Sequence, residues 1–514
     1  MGSWDAIVIG SGLGGLTAGA LLAKDGRRVL LLERHTRFGG AATTFPRKGF
    51  TVEVGLHQMD GLDAGNYKVH LLKRLGIDRE LTFLRLPEFY AVRHPLLGED
   101  FVMPFGLAEG RAAATTRFPR HAAAIDRYFS TLSQLRKQIQ TLTAQVHKPW
   151  WRALNYPIFP VRFTALLRHR RTGLGQFMDR LFGADEAVKL ALCPNLGYYA
   201  DDPDGLSLLY YAAAQGSYHV GGGHYIQGGS QQLSDSLVRV IVAAGGAARA
   251  GRTVTEIILA GGRAAGIRHN ASRGGADSAE ERAPVIIGNA APQVLAGMLP
   301  AEKQRRFSGR RASKPLSTSL YQIFLGFNEP PARFGVRAHS TFVLPPWMGS
   351  LRDMKGNAAL LANEPAGRVP FFVFVDYGKI DAALSAGGNH FATIAGFDAL
   401  SNWDHLDEAT YRARKQAWMD VLIAALDREF PGIAGALVYK EMATARTMKR
   451  YLNTPGGVVY GFAPTPATAG LMAPNSRTPV PGLLLASTFA HPGGGFSGAI
   501  FAGHNAYQAA RRNY

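Results

Sequence analysis

The first forty residues carry the pattern that most limits how this chain can fold. An apolar run over residues 6–9 leads into Gly10-Ser-Gly12-Leu-Gly14-Gly15, and a second apolar run over residues 29–32 ends at Glu33. Between them lies an alanine- and leucine-rich stretch typical of a helix. This order predicts a strand, a glycine turn, a helix and a second strand that ends in an acid, which is the unit that binds the ADP part of a dinucleotide.

Each part of this unit has a physical role in holding a dinucleotide. The glycines permit a tight turn and a close approach of the backbone to the pyrophosphate, while the N-terminus of the helix faces the phosphates. The acid is placed to accept hydrogen bonds from the ribose hydroxyls. The predicted contacts are Gly10, Gly12, Leu13, Gly14, Gly15 and Glu33.

A second pair of glycines, Gly39-Gly40, follows Glu33-Arg34. This extension resembles the Glu-Arg-x-x-x-x-Gly-Gly segment of FAD-dependent amine oxidases and phytoene desaturases, in which the loop wraps the FAD pyrophosphate. The resemblance implies FAD rather than NAD as the cofactor, with Arg34, Gly39, Gly40 and Ala41 beside it. Amine oxidases usually continue with Arg where this chain has Ala41.

Two further glycine-rich blocks extend the resemblance to the phytoene desaturase superfamily, which includes carotenoid desaturases, carotene isomerases and retinol-saturase-like enzymes. One is Gly228-Gly229-Ser230-Gln-Gln-Leu233 with the strand at residues 253–256, and the other runs from Pro481 through His491-Pro-Gly-Gly-Gly to Ala499. The resemblance implies that the backbone of Val254 pairs with the adenine and that the C-terminal loop passes under the flavin. The implied contacts there are Ser487, Gly494, Gly495, Phe496 and Ser497.

The C-terminal block also departs from the usual pattern. Many flavoproteins of this shape have an acid in the turn near Ser487-Thr488, and this chain has none there, so a hydroxyl would take its place as a hydrogen-bonding group. The helix that starts near Ser497 would direct its N-terminus at the flavin pyrimidine and stabilise negative charge on the reduced ring.

Length and motif spacing predict two discontinuous domains. The 514 residues exceed one ordinary hydrophobic core. We expect an α/β fold with a Rossmann-like FAD-binding domain, of the glutathione-reductase and amine-oxidase type, and an inserted α+β substrate domain. The predicted FAD-binding segments are residues 1–80, 221–300 and 441–514, and the predicted substrate-domain segments are residues 81–220 and 301–440.

Positive charge is concentrated in residues 127–178, which we call the basic aromatic segment. The chain has a net charge of +19, and this segment contains no Asp or Glu but nine Lys or Arg, interleaved with Trp, Tyr and Phe. Such a composition suits a peripheral membrane surface. The alternatives are a solvated basic helix pair whose aromatic side chains pack on the core, or a nucleic-acid surface, for which no fold signature is present; we expect no nucleic-acid partner.

Other features narrow the class of protein. The single cysteine, Cys193, allows no internal disulfide, and no zinc spacing is present, so no metal site is predicted. No apolar run approaches the about 18 residues of a transmembrane helix. We therefore expect a cytoplasmic protein that is soluble or peripherally associated with a membrane; the pattern leaves its oligomeric state open.

The resemblance implies hydride transfer between flavin N5 and the carbon–carbon bonds of a long apolar isoprenoid or polyene, such as a carotenoid or retinoid. Desaturation and saturation are the two directions, and a reduced-flavin isomerase of a carotenoid or unsaturated fatty acid is an alternative. His57 and His491 are the candidate acid–base residues because histidine titrates near neutral pH and both lie in loops expected near the flavin. Tyrosines at 198–199 and 210–211 would either line an apolar tunnel or pack in the core.

Two other classes of protein share this shape. One is an amine-oxidase-like enzyme, which the missing Gly-Gly-Arg disfavours. The other is a prenyl-binding escort with no enzymatic activity, which the intact glycine motif and Glu33 disfavour because an escort has no need of FAD. Bound flavin separates an escort from the enzymes.

Overall fold

The computed structural model describes residues 4–63, 65–145, 149–274, 277–311, 313–385, 387–469 and 475–511. The strands are β1 (Ala6–Ile9), β2 (Val29–Leu32), β3 (Thr44–Arg47), β4 (Phe50–Glu53), β5 (Met59–Asp60), β6 (Phe83–Arg85), β7 (Tyr90–Arg93), β8 (Phe101–Met103), β9 (Gly223–Ile226), β10 (Ala247–Arg249), β11 (Arg252–Ala260), β12 (Arg263–Ala271), β13 (Ser278–Arg282), β14 (Val285–Gly288), β15 (Ser319–Phe327), β16 (Ser340–Val343), β17 (Phe372–Asp376), β18 (His390–Asp398), β19 (Leu437–Ala443) and β20 (Leu483–Leu485). The helices are α1 (Leu13–Lys24), α2 (Tyr67–Leu75), α3 (Leu107–Arg117), α4 (Ala122–Gln145), α5 (Pro149–Asn155), α6 (Phe159–Arg162), α7 (Thr164–His169), α8 (Leu174–Phe182), α9 (Glu186–Leu192), α10 (Leu208–Gly221), α11 (Gln231–Ala243), α12 (Pro292–Gly297), α13 (Ala301–Ser308), α14 (Glu408–Glu429), α15 (Ala445–Leu452) and α16 (Gly495–Ala510).

A parallel sheet forms the nucleotide-binding part of the fold. Its strand order is β10-β2-β1-β14-β20, and every neighbouring pair runs parallel. Strands β1, β2, β14 and β20 are buried along their whole length, as their continuous apolar sequences require of strands covered on both faces. The predicted Rossmann-like fold is confirmed.

Different layers cover the two faces of this sheet. On one face, Val8 and Leu31 join a core with helices α1, α11 and α16, and α1 packs against the other two. On the opposite face, Ile7 and Leu30 pack with side chains of the antiparallel sheet β11-β12-β13. Because successive side chains of a strand alternate between faces, these short strands supply both cores.

A second, larger sheet has the order β19-β15-β18-β17-β16-β7-β8. It is antiparallel except for the parallel pair β16–β7. Helix α14 covers one face, where Trp418 and Leu422 pack against β15 and β18. Strands β7 and β8 precede the helical region α3–α10 in the chain, and the other strands follow it, so the sheet joins two distant segments. This is the predicted inserted α+β unit, although its limits at residues 81–220 and 301–440 stay a prediction.

The helical region α3–α10 covers much of the basic aromatic segment, of which residues 146–148 lie outside the described residues. Within the ranges that the structure describes, no helix has the length and apolar character needed to cross a bilayer.

Candidate cofactor site and adjoining cavity

The glycine turn after β1 leaves no space for side chains. A Cβ on Gly14 would lie 1.7 Å from the carbonyl oxygen of Ala486, and one on Gly15 would lie 2.4 Å from that of Gly10. Gly10 has a φ of +90°, which only glycine adopts without strain. The N-terminus of α1 therefore packs directly on the end of β20, as a nucleotide-binding turn requires.

Asn289 supports this turn from the neighbouring strand, a role that the sequence analysis missed. It follows β14 immediately, and a Cβ on Gly12 would lie 2.6 Å from its side-chain nitrogen. Strands β2 and β14 flank β1 on opposite sides, so Asn289 lies at the switch point where open α/β sheets bind ligands. The sequence feature that could have revealed Asn289 is a polar residue directly after a buried strand.

Glu33 lies at the carboxyl end of β2 and connects the two glycine loops. Its Oε2 accepts hydrogen bonds from the Ser11 amide at 2.9 Å and the Ser11 hydroxyl at 2.6 Å, and its Oε1 accepts one from the His35 amide at 2.8 Å. The Gly39 amide donates to Ser11 Oγ at 3.0 Å. The predicted ribose acid is thus held in place, with lone pairs left for a ligand.

The other predicted residues of the adenosine end lie around Glu33. Strand β11 starts beside it, because the Arg252 amide donates to the Glu33 carbonyl at 2.8 Å, and the buried Val254 follows in that strand. The guanidinium of Arg34 donates to the carbonyl oxygens of Arg450 and Tyr451. The proposed adenine contact of Val254 and the pyrophosphate contact of Arg34 stay predictions.

A buried hydroxyl beside the glycine turn tests whether the site fits FAD. Ser487 is 6% exposed and follows Ala486, whose carbonyl lies against Gly14. Its Oγ has no hydrogen-bond partner among the described residues. A buried hydroxyl without a partner is costly, and a phosphate or ribityl oxygen would satisfy it. The residues present therefore fit FAD.

The predicted cofactor residues of the two chain ends form one continuous path. A Cβ on Gly40 would lie 3.2 Å from the Cα of Gly12. A Cβ on Gly55 would lie 2.7 Å from the carbonyl oxygen of Ala41 and 3.6 Å from the ring of Phe496. Gly40, Gly55 and Gly495 are exposed. The path thus runs from the phosphate turn to the C-terminal loop.

Glu53 fixes the loop that carries His57, and sequence reasoning missed it as well. It is fully buried at the end of β4 and accepts hydrogen bonds from the amide and hydroxyl of Ser230 and from the amides of Gly55 and Leu56. Burial raises the pKa of Glu53, and these four donors oppose that shift. The central glycine block is therefore tied to the loop at residues 54–57 through a single carboxylate.

The two candidate histidines have different surroundings. The Nδ1 of His57 lies 3.4 Å from Tyr198 Oη, and the His57 carbonyl is 2.9 Å from His339 Nε2. Burial, with the nearby His339, lowers the pKa of His57 to about 3, so its ring is neutral at neutral pH. The ring of His491 packs edge-on against Phe501, and its carbonyl accepts a hydrogen bond from the Asn505 side chain at 3.2 Å. An acid–base role for either residue stays a prediction.

An aromatic cavity adjoins the C-terminal glycine loop. Its lining consists of aromatic, small and hydroxyl-bearing residues and contains no Asp, Glu, Lys or Arg among the described residues: Tyr199, Tyr210, Tyr460, Phe462, Ala463, Pro464, Thr468, Ala469, Thr488, Phe489, Ala490, Pro492, Gly493 and Gly494. Tyr210 Oη lies 3.4 Å from the Gly494 carbonyl, and a Cβ on Gly494 would lie 2.6 Å from Tyr460. Burial raises the pKa of all three tyrosines, so their hydroxyls are neutral.

The four tyrosines considered from sequence divide between cavity and core. Tyr199 and Tyr210 line the cavity, and Tyr198 contacts His57. Tyr211 is fully buried in the helical region, where its hydroxyl is 3.3 Å from the Leu192 carbonyl. In the described part of the chain, no group of three or more His, Cys, Asp or Glu is placed to hold a metal ion.

Comparison with known proteins agrees with this geometry. A family model described as flavin containing amine oxidoreductase matches residues 13–510. The chain belongs to the flavin-containing amine oxidoreductase family. It is an FAD-dependent oxidoreductase, and the predicted cofactor is confirmed.

Individual relatives place the chain within this family. Chloroplastic prolycopene isomerase from Arabidopsis thaliana is 27% identical over 541 residues, which cover 97% of this chain and 81% of that protein. All-trans-retinol 13,14-reductase from Rattus norvegicus is 28% identical over 292 residues, which cover 56% of this chain and 47% of that protein. A solved oxidoreductase from Methanosarcina mazei shares the fold, with a TM-score of 0.64 and 17% identity over 99% of this chain and 100% of that one. The resemblance to the phytoene desaturase superfamily is confirmed.

Proposed function

We propose that this flavin-containing amine oxidoreductase changes the saturation or the geometry of carbon–carbon double bonds in a long apolar polyene or isoprenoid. The observation that carries the proposal is the aromatic cavity beside Gly493-Gly494, whose lining has no charged side chain among the described residues. Such a lining suits an apolar chain, and the cavity, with about 360 Å³ of space including its open side, would take up only part of a long one. The lining offers a cationic amine no carboxylate, so contacts with the tyrosine rings would replace its lost hydration only in part.

Bound FAD would supply hydride transfer at flavin N5, and the protein would position the substrate and exclude water. Gly493 and Gly494 have no side chains, so the backbone of the C-terminal loop borders the cavity directly. The neutral tyrosine hydroxyls leave the lining of the cavity itself without charge, which suits an apolar substrate. Relatives named as a prolycopene isomerase and a retinol reductase support a polyene as the substrate class.

An anaerobic spectrum of the FAD-loaded protein tests the proposal directly. The protein is mixed with liposomes that hold phytoene, a cis-carotenoid, retinol or linoleate, and products are analysed from the same samples. We expect one lipid to bleach the oxidised flavin and become more conjugated, or to be converted only after the flavin has been reduced chemically. In the second case a mass gain of two hydrogens identifies a saturase, and an unchanged mass identifies an isomerase.

A primary diamine added without liposomes is the comparison that could overturn this assignment. Bleaching by the amine, with no conversion of any of the lipids in either flavin state, would identify an amine oxidase instead. The Glu256→Ala variant, altered in an exposed ion pair of β11, should behave as the unchanged protein in every arm.

We further propose that the basic aromatic segment docks on an anionic membrane. Five apolar side chains lie largely in solvent around α5 and α6, with exposed fractions from 49% to 79%: Trp150, Leu154, Tyr156, Ile158 and Val161. Other aromatic residues of the segment, Trp151 and Phe163, pack in a small core instead. Exposed apolar side chains beside basic residues suit insertion into an anionic headgroup layer.

The double variant Leu154→Asp with Val161→Asp should reduce flotation with vesicles of one part phosphatidylserine to three parts phosphatidylcholine by about tenfold or more, since two apolar contacts become repelled charges. Val242→Asp with Val438→Asp is the matched control, because both valines are about half exposed elsewhere on the surface. Equal flotation of the two double variants would contradict docking through this segment.

A further inference from the structure

A buried lysine lies where α2, β5 and α16 meet. Lys68 is 4% exposed, and its Nζ donates to Ser497 Oγ at 2.8 Å and to Asp60 Oδ1 at 3.2 Å. The Ser497 hydroxyl itself donates to Asp60 Oδ1. We call these three residues the lysine cluster.

Local structure fixes each member of the cluster. Asn66 caps α2 and accepts a hydrogen bond from the Lys68 amide at 3.0 Å. Asp60 ends β5 and pairs with Gly223 of β9, and Ser497 lies in the first turn of α16. The cluster therefore joins the consecutive elements β5 and α2 to the distant helix α16, and the contact of Lys68 with Ser497 spans 429 positions.

The charges in the cluster are well defined. Burial alone would raise the pKa of Asp60, but the Lys68 charge and hydrogen bonds from Ser217 and Ser497 hold it below its usual value. Asp60 is thus a carboxylate, and it forms an ion pair with Lys68 Nζ at 3.2 Å. Further out, Arg136 and Asp63 contribute opposite charges. An ammonium has three N–H donors, and the described residues accept two from Lys68, so one is left for a ligand.

Ser497 places the lysine cluster at the start of α16, directly after the C-terminal glycine loop. Ser497 directly follows Phe496, whose ring is the end of the glycine path traced above. The positive end of the α16 dipole lies at the same place. The charge of Asp60 also acts on Tyr199 and Tyr210, so the cluster lies near both the C-terminal loop and the aromatic cavity.

We propose that Lys68 supplies the positive charge that stabilises reduced FAD in this protein, and that Asp60 and Ser497 hold its ammonium in place and moderate its strength. A hydride adds two electrons and one proton to the flavin, which leaves the ring with one negative charge. A fixed ammonium at the flavin end compensates that charge in a poorly solvated site. This inference rests on the FAD-dependent function proposed above and names the group that tunes its redox step.

The test measures the flavin itself, with no lipid substrate present. Lys68→Met should make two-electron reduction of the bound flavin at least tenfold less favourable, which is a fall of about 30 mV in its potential. It should also weaken the flavin–sulfite adduct, which carries the same negative charge, by about tenfold or more. Asp60→Asn should shift both quantities in the opposite direction, because the ammonium loses its counter-charge.

Lys189→Met is the matched control. Lys189 is also buried, at 2% exposure, and bonds to Asp179 at 2.6 Å and Glu186 at 2.8 Å in the helical region. Lys189→Met should lower the free energy of unfolding as Lys68→Met does, but it should leave the reduction potential of the bound flavin unchanged. Unchanged potentials in Lys68→Met and Asp60→Asn, or equal shifts in Lys189→Met, would overturn the assignment.

A variant that loses FAD would not leave the question open. If Lys68→Met does not retain the flavin, the direction of the change in flavin potential in Asp60→Asn decides whether the assignment holds. Ser497→Ala, which removes one hydrogen-bond partner of the Lys68 ammonium, is the mildest variant of the cluster. A shift in these potentials without turnover of any polyene would refute the proposed substrate and leave the role of Lys68 intact.

Discussion

Replacing Glu33 by alanine is expected to lower the affinity for FAD by about a hundredfold or more, because hydrogen bonds to a carboxylate contribute about 1.5–3 kcal/mol each. Glu33 also holds Ser11 and His35, so its loss loosens both glycine loops at the adenosine end. Equilibrium titration of the apoprotein, followed by flavin fluorescence, gives the dissociation constant.

Glu33→Gln is the conservative comparison and should lose less affinity, because an amide oxygen still accepts at one position. Glu256→Ala removes a carboxylate from the neighbouring strand β11, whose partner is Arg268, and should leave FAD binding unchanged. Full FAD occupancy in Glu33→Ala at low micromolar cofactor would contradict the role given to this acid.

Replacing Glu53 by leucine should destabilise the whole molecule by about 3 kcal/mol or more, since each buried donor left without an acceptor costs about 1–3 kcal/mol. Three backbone amides, those of Ser230, Gly55 and Leu56, lose their acceptor together. We expect the thermal midpoint of the apoprotein to fall by about 3 °C or more.

The control for this variant is Glu441→Leu. Glu441 is 42% exposed and paired with Arg47, so its loss should change the free energy of unfolding by no more than about 0.5 kcal/mol. Glu53→Gln should fall between the two, because one oxygen remains as an acceptor. Equal midpoints for Glu53→Leu and Glu441→Leu would show that the buried carboxylate does not hold the loop.

Local patterns in the sequence were enough to predict much of this fold. The strand, turn and helix from residue 6 to residue 24 were predicted because every part lies next to the previous one in the chain. Periodicity and glycine placement are local properties, so they can be seen without knowing the tertiary structure.

The residues that the sequence did not reveal are those whose roles depend on distant partners. Lys68 in isolation is typical of the charged face of a surface helix, and only the crossing of α2 with α16 buries it. Glu53, Asn289 and Tyr460 likewise act through contacts with residues far away in the chain. A single sequence contains no signal for such a pairing until the sheets are assembled.

The position of β20 has a consequence for synthesis of the protein. This strand completes the edge of the parallel sheet, and α16 packs on α1, yet both come from the last part of the chain. Before β20 and α16 have been synthesised, β14 lacks one neighbouring strand and the apolar surface of α1 that packs on α16 is exposed. This apolar surface therefore stays uncovered until β20 and α16, which lie far after α1 in the chain, have been made, and an uncovered apolar surface favours aggregation.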